Sequence, residues 1–266
     1  MDYRQIAAHL LSDDPAIRLA ALAALQQQDD HTPLPPDVSR GLLVCLGHTR
    51  KTIQRGAAEQ LIRFSRVQPE IVTALTKKLA DPDPRVRWTA AFTLSQLPLP
   101  EPLPLPVLLE NLGHDESDLR WAAATAILRL ATHHPRVITE VLRLARAGNT
   151  VQRRMALYCL RDLAHSDEEA RIVYRASLSD PDPMVRLGGL SCLGKLKLAT
   201  PEVREAVLRM VENDPDQGVR RAAAATLGHL ADSAPAVIEA LSNAARSDDV
   251  GLRKAALGAL KRLQQE

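Results

Sequence analysis

The feature that most constrains this chain is its self-similarity. The segments Ala16-Ile17-Arg18-Leu19-Ala20-Ala21, Arg85-Val86-Arg87-Trp88-Thr89-Ala90, Met184-Val185-Arg186-Leu187-Gly188-Gly189 and Gly218-Val219-Arg220-Arg221-Ala222-Ala223 share one pattern. An aliphatic residue precedes an arginine, small residues follow, and Leu or Ile stands seven residues after the arginine. The anchor positions are Arg18, Gln54, Arg87, Arg120, Arg153, Arg186, Arg220 and Arg253, with steps of 36, 33, 33, 33, 33, 34 and 33 residues. A chain built this way buries the same face repeatedly, which predicts stacked like units rather than one closed core.

Each unit reads as two helices. The second opens at Asp14-Pro15, Asp83-Pro84 or Asp182-Pro183, or at Asn149, Asp216 or Asp249 in the same place. Such side chains accept the unpaired N–H groups of a first helical turn, and proline at the first helical position gives up no hydrogen bond. Apolar residues then recur at helical spacing, as in Val86, Ala90, Thr93, Leu94 and Leu97. The first helix is shorter and also amphipathic, as in Ile71, Leu75 and Leu79 or Val203, Val207 and Val211.

Composition agrees. The 266 residues are 45% hydrophobic but only 3% aromatic, so the core must come from Ala, Leu, Ile and Val, which suits closely packed helices. Lys and Arg total 34 against 32 Asp and Glu, and a net charge of +2 gives no global field for nucleic acid or anionic lipid. No apolar run approaches the ~18 residues of a membrane span, and no signal-peptide pattern follows Met1, so a cytoplasmic protein is expected. Cys159 and Cys192 share a repeat position with Ala24, Thr93, Ala126 and Ala259 and read, with Cys45, as small core residues.

Asp81-Pro82-Asp83-Pro84-Arg85-Val86-Arg87 and Asp180-Pro181-Asp182-Pro183-Met184-Val185-Arg186 resemble the HEAT repeat, in particular the HEAT-like repeats associated with phycobilisome lyases. The resemblance covers nearly the whole chain. It implies an all-α fold, a right-handed α-α superhelix of about eight helix pairs, as a single solenoid over residues 1–266. Function follows less closely, since similar repeats occur in scaffolds, inhibitors, bilin lyases and DNA glycosylases.

The departures from the repeat are local. Gln54 replaces the arginine, Thr32-Pro33-Leu34-Pro35-Pro36 lengthens the first step, and Pro98 to Pro106 form a proline-rich connector that reads as a stiff loop. The anchor arginines, near Asp81, Asp83, Asp180, Asp182, Asp214 and Asp216, are expected to bond loop carboxylates or carbonyls of their own or an adjacent unit. Those Asp-x-Asp pairs read as caps rather than metal ligands. His48, His114, His133, His134 and His165 fall at turns and read as solvated. No nucleotide-binding, metalloprotease, hydrolase or paired CxxC motif is present, so no catalytic residue, metal or cofactor is called for.

One cluster stands out. The residues one, five and eight after the anchor form a stripe on the second helices, and it gathers Trp88, Phe92, Trp121 and Tyr158 on three consecutive helices, flanked by Arg55, Arg154, Arg161 and Arg221. Aromatic rings with arginine are the usual make-up of a binding hot spot. The expectation is a non-enzymatic, monomeric scaffold that holds a protein or peptide with acidic groups in its groove. A DNA-binding protein resembling the HEAT-like glycosylases, and a bilin lyase or chromophore chaperone, are the alternatives. Phe92 and Thr125 stand where such a glycosylase would place a carboxylate.

Overall fold

The computed structural model describes residues 1–98, 103–231 and 233–265. Sixteen helices and no strand occur among them. They group into two compact units, residues 1–133 and 134–266.

In the first unit, α1 (Tyr3–Leu10), α3 (Pro36–Cys45), α5 (Glu70–Lys78) and α7 (Leu105–Asn111) are the first helices of the pairs; α2 (Pro15–Gln26), α4 (Lys51–Phe64), α6 (Pro84–Leu94) and α8 (Ser117–Ala131) are the second. In the second unit, α9 (Arg136–Ala147), α11 (Glu168–Ser177), α13 (Pro201–Asn213) and α15 (Pro235–Ala244) alternate with α10 (Thr150–Asp162), α12 (Pro183–Leu196), α14 (Gln217–Leu230) and α16 (Val250–Leu263). Each second helix packs on its own first helix or on the second helix of a neighbouring pair, the stacking of the α-α superhelix class. Every first helix is shorter than its partner, from 7 residues against 15 in the α7–α8 pair to 13 against 14 in the α13–α14 pair.

The core is aliphatic, as the composition requires. The leucine or isoleucine seven after the anchor is buried in Leu25, Leu61, Leu94 and Ile127 of the first unit and in Leu160, Leu193 and Leu227 of the second. Each such burial contributes about 1.5–3 kcal/mol. Phe64 and Tyr174 are the largest fully buried side chains. Cys45, Cys159 and Cys192 are buried free thiols. Their neighbours explain why small residues hold this place: Cys192 Sγ lies 3.3 Å from the Leu157 carbonyl of the preceding pair, and Thr226, its counterpart on α14, bonds Leu190 O.

The helix starts follow the sequence. Asp14, Asp83, Asp182, Asp216 and Asp249 each accept N–H groups of the turn they precede, and Asn149 forms a reciprocal capping box with Gln152. Each cap contributes about 1 kcal/mol.

The anchors close the same turns from the other side. Guanidinium groups donate to the carbonyl six residues earlier in Arg18 to Ser12, Arg87 to Asp81, Arg120 to His114, Arg186 to Asp180, Arg220 to Asp214 and Arg253 to Ser247. Gln54 reproduces the bond with its amide, 2.6 Å from His48 O, and Arg153 reaches Gly148 O, one residue nearer. The residue six before the anchor also uses its side chain, which accepts the backbone N–H two residues on. Ser12, Asp81, Asp180, Asp214 and Ser247 do this with oxygen; His48 and His114 do it with Nδ1, at 2.9 and 3.0 Å. These two histidines are therefore turn-building acceptors, His48 half-buried and His114 exposed to solvent as expected. The geometry requires Nδ1 to be unprotonated.

The insertion before α3 is tied down by Gln68, whose amide exchanges hydrogen bonds with both backbone groups of buried Leu34. Of the second proline-rich connector, residues 99–102 lie outside the described residues, and Pro104 directly precedes α7.

Candidate functional site

In the first unit, α4, α6 and α8 lie side by side and carry Arg55, Trp88 and Trp121 at the position after the anchor. Lys51 at the start of α4 lies 3.8 Å from Glu116 and 3.9 Å from Asp118 at the start of α8. Two helices separated by a third can exchange ion pairs only if their N-terminal ends converge over it, so the second-helix face of this unit is concave there. The two tryptophans differ in exposure. Trp88, on the middle helix, is half-buried and packs against Phe92 with centroids 5.5 Å apart and planes at 36°, whereas Trp121 is 47% exposed. One turn beyond Trp121, Thr125 is exposed and bonds the Trp121 carbonyl, and Arg55 and Glu59 are exposed on α4.

The second unit holds Tyr158, Arg154, Arg161 and Arg221. Tyr158 is half-buried, with the Arg161 guanidinium 4.9 Å from its ring centroid. Arg161 also clasps Asp162 and donates to Ser191 Oγ of α12. Burial opposes ionisation of Asp162, but the bonds from Arg161 and Lys195 outweigh it and hold the carboxyl below its ordinary range. Arg221 bonds Asp249 and Gln217, and Arg154 is half-buried with its Nε lacking a hydrogen-bond partner among the described residues. Arg161 and Arg221 are thus already engaged within their unit.

Other features bear on chemistry. Burial pushes the thiols of Cys159 and Cys192 up to about 12, which keeps them protonated and poor nucleophiles. A cavity of 390 Å³ opens between α11, α12 and the start of α13, where Arg171, Arg175 and Lys197 face Glu168 and Glu202. No sequence pattern pointed to it, because its walls come from three helices and the loop at residues 198–200. Asp29, Asp30 and His31 bring three ligand-type atoms within 4.8 Å of one another, and Asp30 is bonded by Arg63. The Asp-x-Asp carboxylates serve the turns, with Asp81 and Asp180 accepting backbone N–H groups beside the caps Asp83 and Asp182. No helix among the described residues is long and apolar enough to cross a membrane.

Comparison with known proteins bears on the repeat itself. The family described as HEAT repeats matches residues 39–128, 136–228 and 174–261, most of the chain. The chain belongs to the HEAT-repeat family. Among solved HEAT-like structures, YibA of E. coli is 18% identical, with a TM-score of 0.58 over 100% of this chain and 93% of its own. The karyopherin Kap121p bound to Nup53p is 14% identical with a TM-score of 0.68, and Kap121p bound to the extreme C-terminus of the protein phosphatase Cdc14p is 15% identical with a TM-score of 0.68. The match to Kap121p covers 99% of this chain but 34% of the karyopherin, so this HEAT protein spans about a third of that relative's length. At these identities the likeness shows the fold. No curated protein matches the HEAT chain by sequence.

Proposed function

We propose that this HEAT-repeat chain is a non-enzymatic scaffold that takes a protein or peptide segment along the second-helix face, in the groove of its stacked pairs. The observation that carries the reading is Trp121, a large aromatic 47% exposed beside the half-buried Trp88 and Phe92, on a face that the Lys51 pairs make concave. Exposed indoles on a rigid concave frame supply contact area at little cost in conformational entropy. Arg55, Arg154, Arg161, Arg221 and Tyr158 complete the proposed binding set, with Arg55, exposed on α4, the arginine best placed to meet an acidic group. Kap121p, seen with Nup53p and with the extreme C-terminus of Cdc14p, is a fold-level analogy for the partner class. The step of 33 residues from Arg120 to Arg153 supports reading residues 1–266 as one repeat array.

The test is a pull-down from native extract with wild type and Trp121→Ala, paired with a titration of duplex DNA at several salt concentrations. A protein partner lost on Trp121→Ala supports the reading. Tight DNA binding that falls steeply with salt would favour a nucleic-acid partner instead.

A further inference from the structure

The repeat position four after the anchor faces the following helix pair of the same unit. Leu22, Ala58, Ala91, Leu157, Leu190 and Ala224 hold it at 5% exposure or less, whereas Leu257, their counterpart on α16, is 54% exposed. Within each unit a leucine here packs on a small residue two after the next anchor: a Cβ added at Gly56 would meet Leu22 Cδ1 at 3.0 Å, and one added at Gly188 would meet Leu157 Cδ1 at 3.0 Å. The complementary surface exists on α2. Ala20 occupies that second position and is exposed. Ile17, just before its anchor, is 36% exposed, while Ile53, Val86, Val185, Val219 and Leu252 hold the same place at 9% or less.

Charge matches as well. Arg221, one after its anchor, pairs with Asp249, four before the next anchor, at 3.0 Å. Lys254 and Asp14 occupy those two positions on α16 and at the start of α2, and both are exposed. Asp249 caps its helix while holding Arg221, so capping by Asp14 leaves it able to do the same.

We propose that the α15–α16 face of one copy takes the α1–α2 face of a second copy, with Leu257 seated on Ala20 and Lys254 paired with Asp14, so that the stack continues head to tail between molecules. Such a contact joins two different surfaces and leaves one free face of each kind on the dimer, so assembly grows with concentration, into rings or filaments, instead of stopping there. This departs from the monomer that the sequence suggested. It concerns surfaces other than the aromatic face, and either reading can fail alone.

Sedimentation velocity of the full 266-residue chain over a wide concentration range tests it, with Leu257→Glu and Ala20→Glu as variants. Wild type should rise in mass with concentration, and each variant alone should weaken association by about tenfold or more while melting like wild type. Mixing the two variants restores one intact pair of faces and should give a 1:1 dimer and nothing larger. A wild type that stays monomeric throughout, an association indifferent to both substitutions, or a mixture that forms no dimer would each overturn the proposal.

Discussion

The two units close the same turn with different chemistry. In the second unit, Arg153 and Arg186 each reach forward in bidentate contact to an aspartate of the next turn, Asp180 and Asp214, with bonds of 2.8–2.9 Å. Among the described residues of the first unit no anchor finds such a partner, because arginine and aspartate never fall in register. Arg18 is followed by His48 at the receiving position, Gln54 by Asp81, and Arg87 by His114. Asp81 is taken by Lys78 instead, at 2.8 Å, and Arg87 reaches only the exposed Glu110, at 3.5 Å. A bond between helix pairs thus depends on two residues 27 or 28 apart being right together, while the bond within a turn survives the replacement of Arg by Gln. The second unit thus carries two forward Arg–Asp pairs, while the first, which bears both tryptophans, has none among its described residues.

The largest expected effect breaks the ladder where it is driest. Arg186 and Asp214 are 9% and 5% exposed in their side chains, so Arg186→Leu leaves a buried carboxylate without its partner, at a cost of about 3 kcal/mol or more. Arg87→Leu, its counterpart in the first unit, should cost about 1 kcal/mol. Chemical denaturation of both variants checks the contrast, and equal losses would refute it.

The converse substitution sharpens the same point. Gln54→Arg places a guanidinium ahead of Asp81, whose side chain is 16% exposed, and should raise stability by about 1 kcal/mol by supplying the missing bidentate pair. An unchanged denaturation midpoint would show that register alone does not decide the pairing.

Acid should separate the units in turn. Burial, together with Arg18, Arg50 and Arg85, holds His48 below its ordinary pKa, so its folded form resists the proton that would break the bond from Arg50 N–H. Its contribution is complete above the unfolded value of about 6.5 and is lost as pH falls through the lower folded value. Burial raises Asp180 but hydrogen bonds from Arg153 and the Asp182 N–H outweigh it, so its contribution persists above the ordinary carboxylate range and is lost only below that. Amide hydrogen exchange should therefore show the turn at residues 46–51 loosening by about 1 kcal/mol at mildly acidic pH while the turn at 178–183 holds. His48→Asn, which keeps an acceptor, should abolish the early phase.

The smallest effect concerns helix endings. Ala164 and Lys197 adopt φ of 52° and 50° at the ends of α10 and α12, a left-handed conformation that costs a side-chain-bearing residue about 1 kcal/mol. Ala164→Gly should recover a few tenths to about 1 kcal/mol, read as a rise of a few degrees in Tm.

Much of this was legible in the sequence because the repeat is local. Caps, anchors and core positions lie within a few residues of one another, so spacing alone placed the caps Asp14, Asp83 and Asp182 and brought the anchor arginines to the loop carboxylates or carbonyls, without deciding between them. The role of His48 and His114 was written in the same place, since they occupy the position held elsewhere by Ser12, Asp81 and Ser247; reading histidine only as a ligand or a solvated residue hid it. What spacing could not supply was the state of side chains long enough to choose among partners. Arg161 and Arg221 share the stripe with Arg55, yet Asp162 and Asp249 engage the first two and Arg55 stays exposed. Trp88 and Trp121 occupy equivalent positions, yet Trp88 is half-buried against Phe92 and Trp121 is exposed.

That difference sets the decisive experiment. A displayed peptide library selected on wild type should yield segments whose affinity falls by about tenfold or more on Trp121→Ala, with the melting temperature of the protein unchanged. Segments that bind Trp121→Ala as tightly as wild type would contradict the account, because the exposed indole would then anchor nothing.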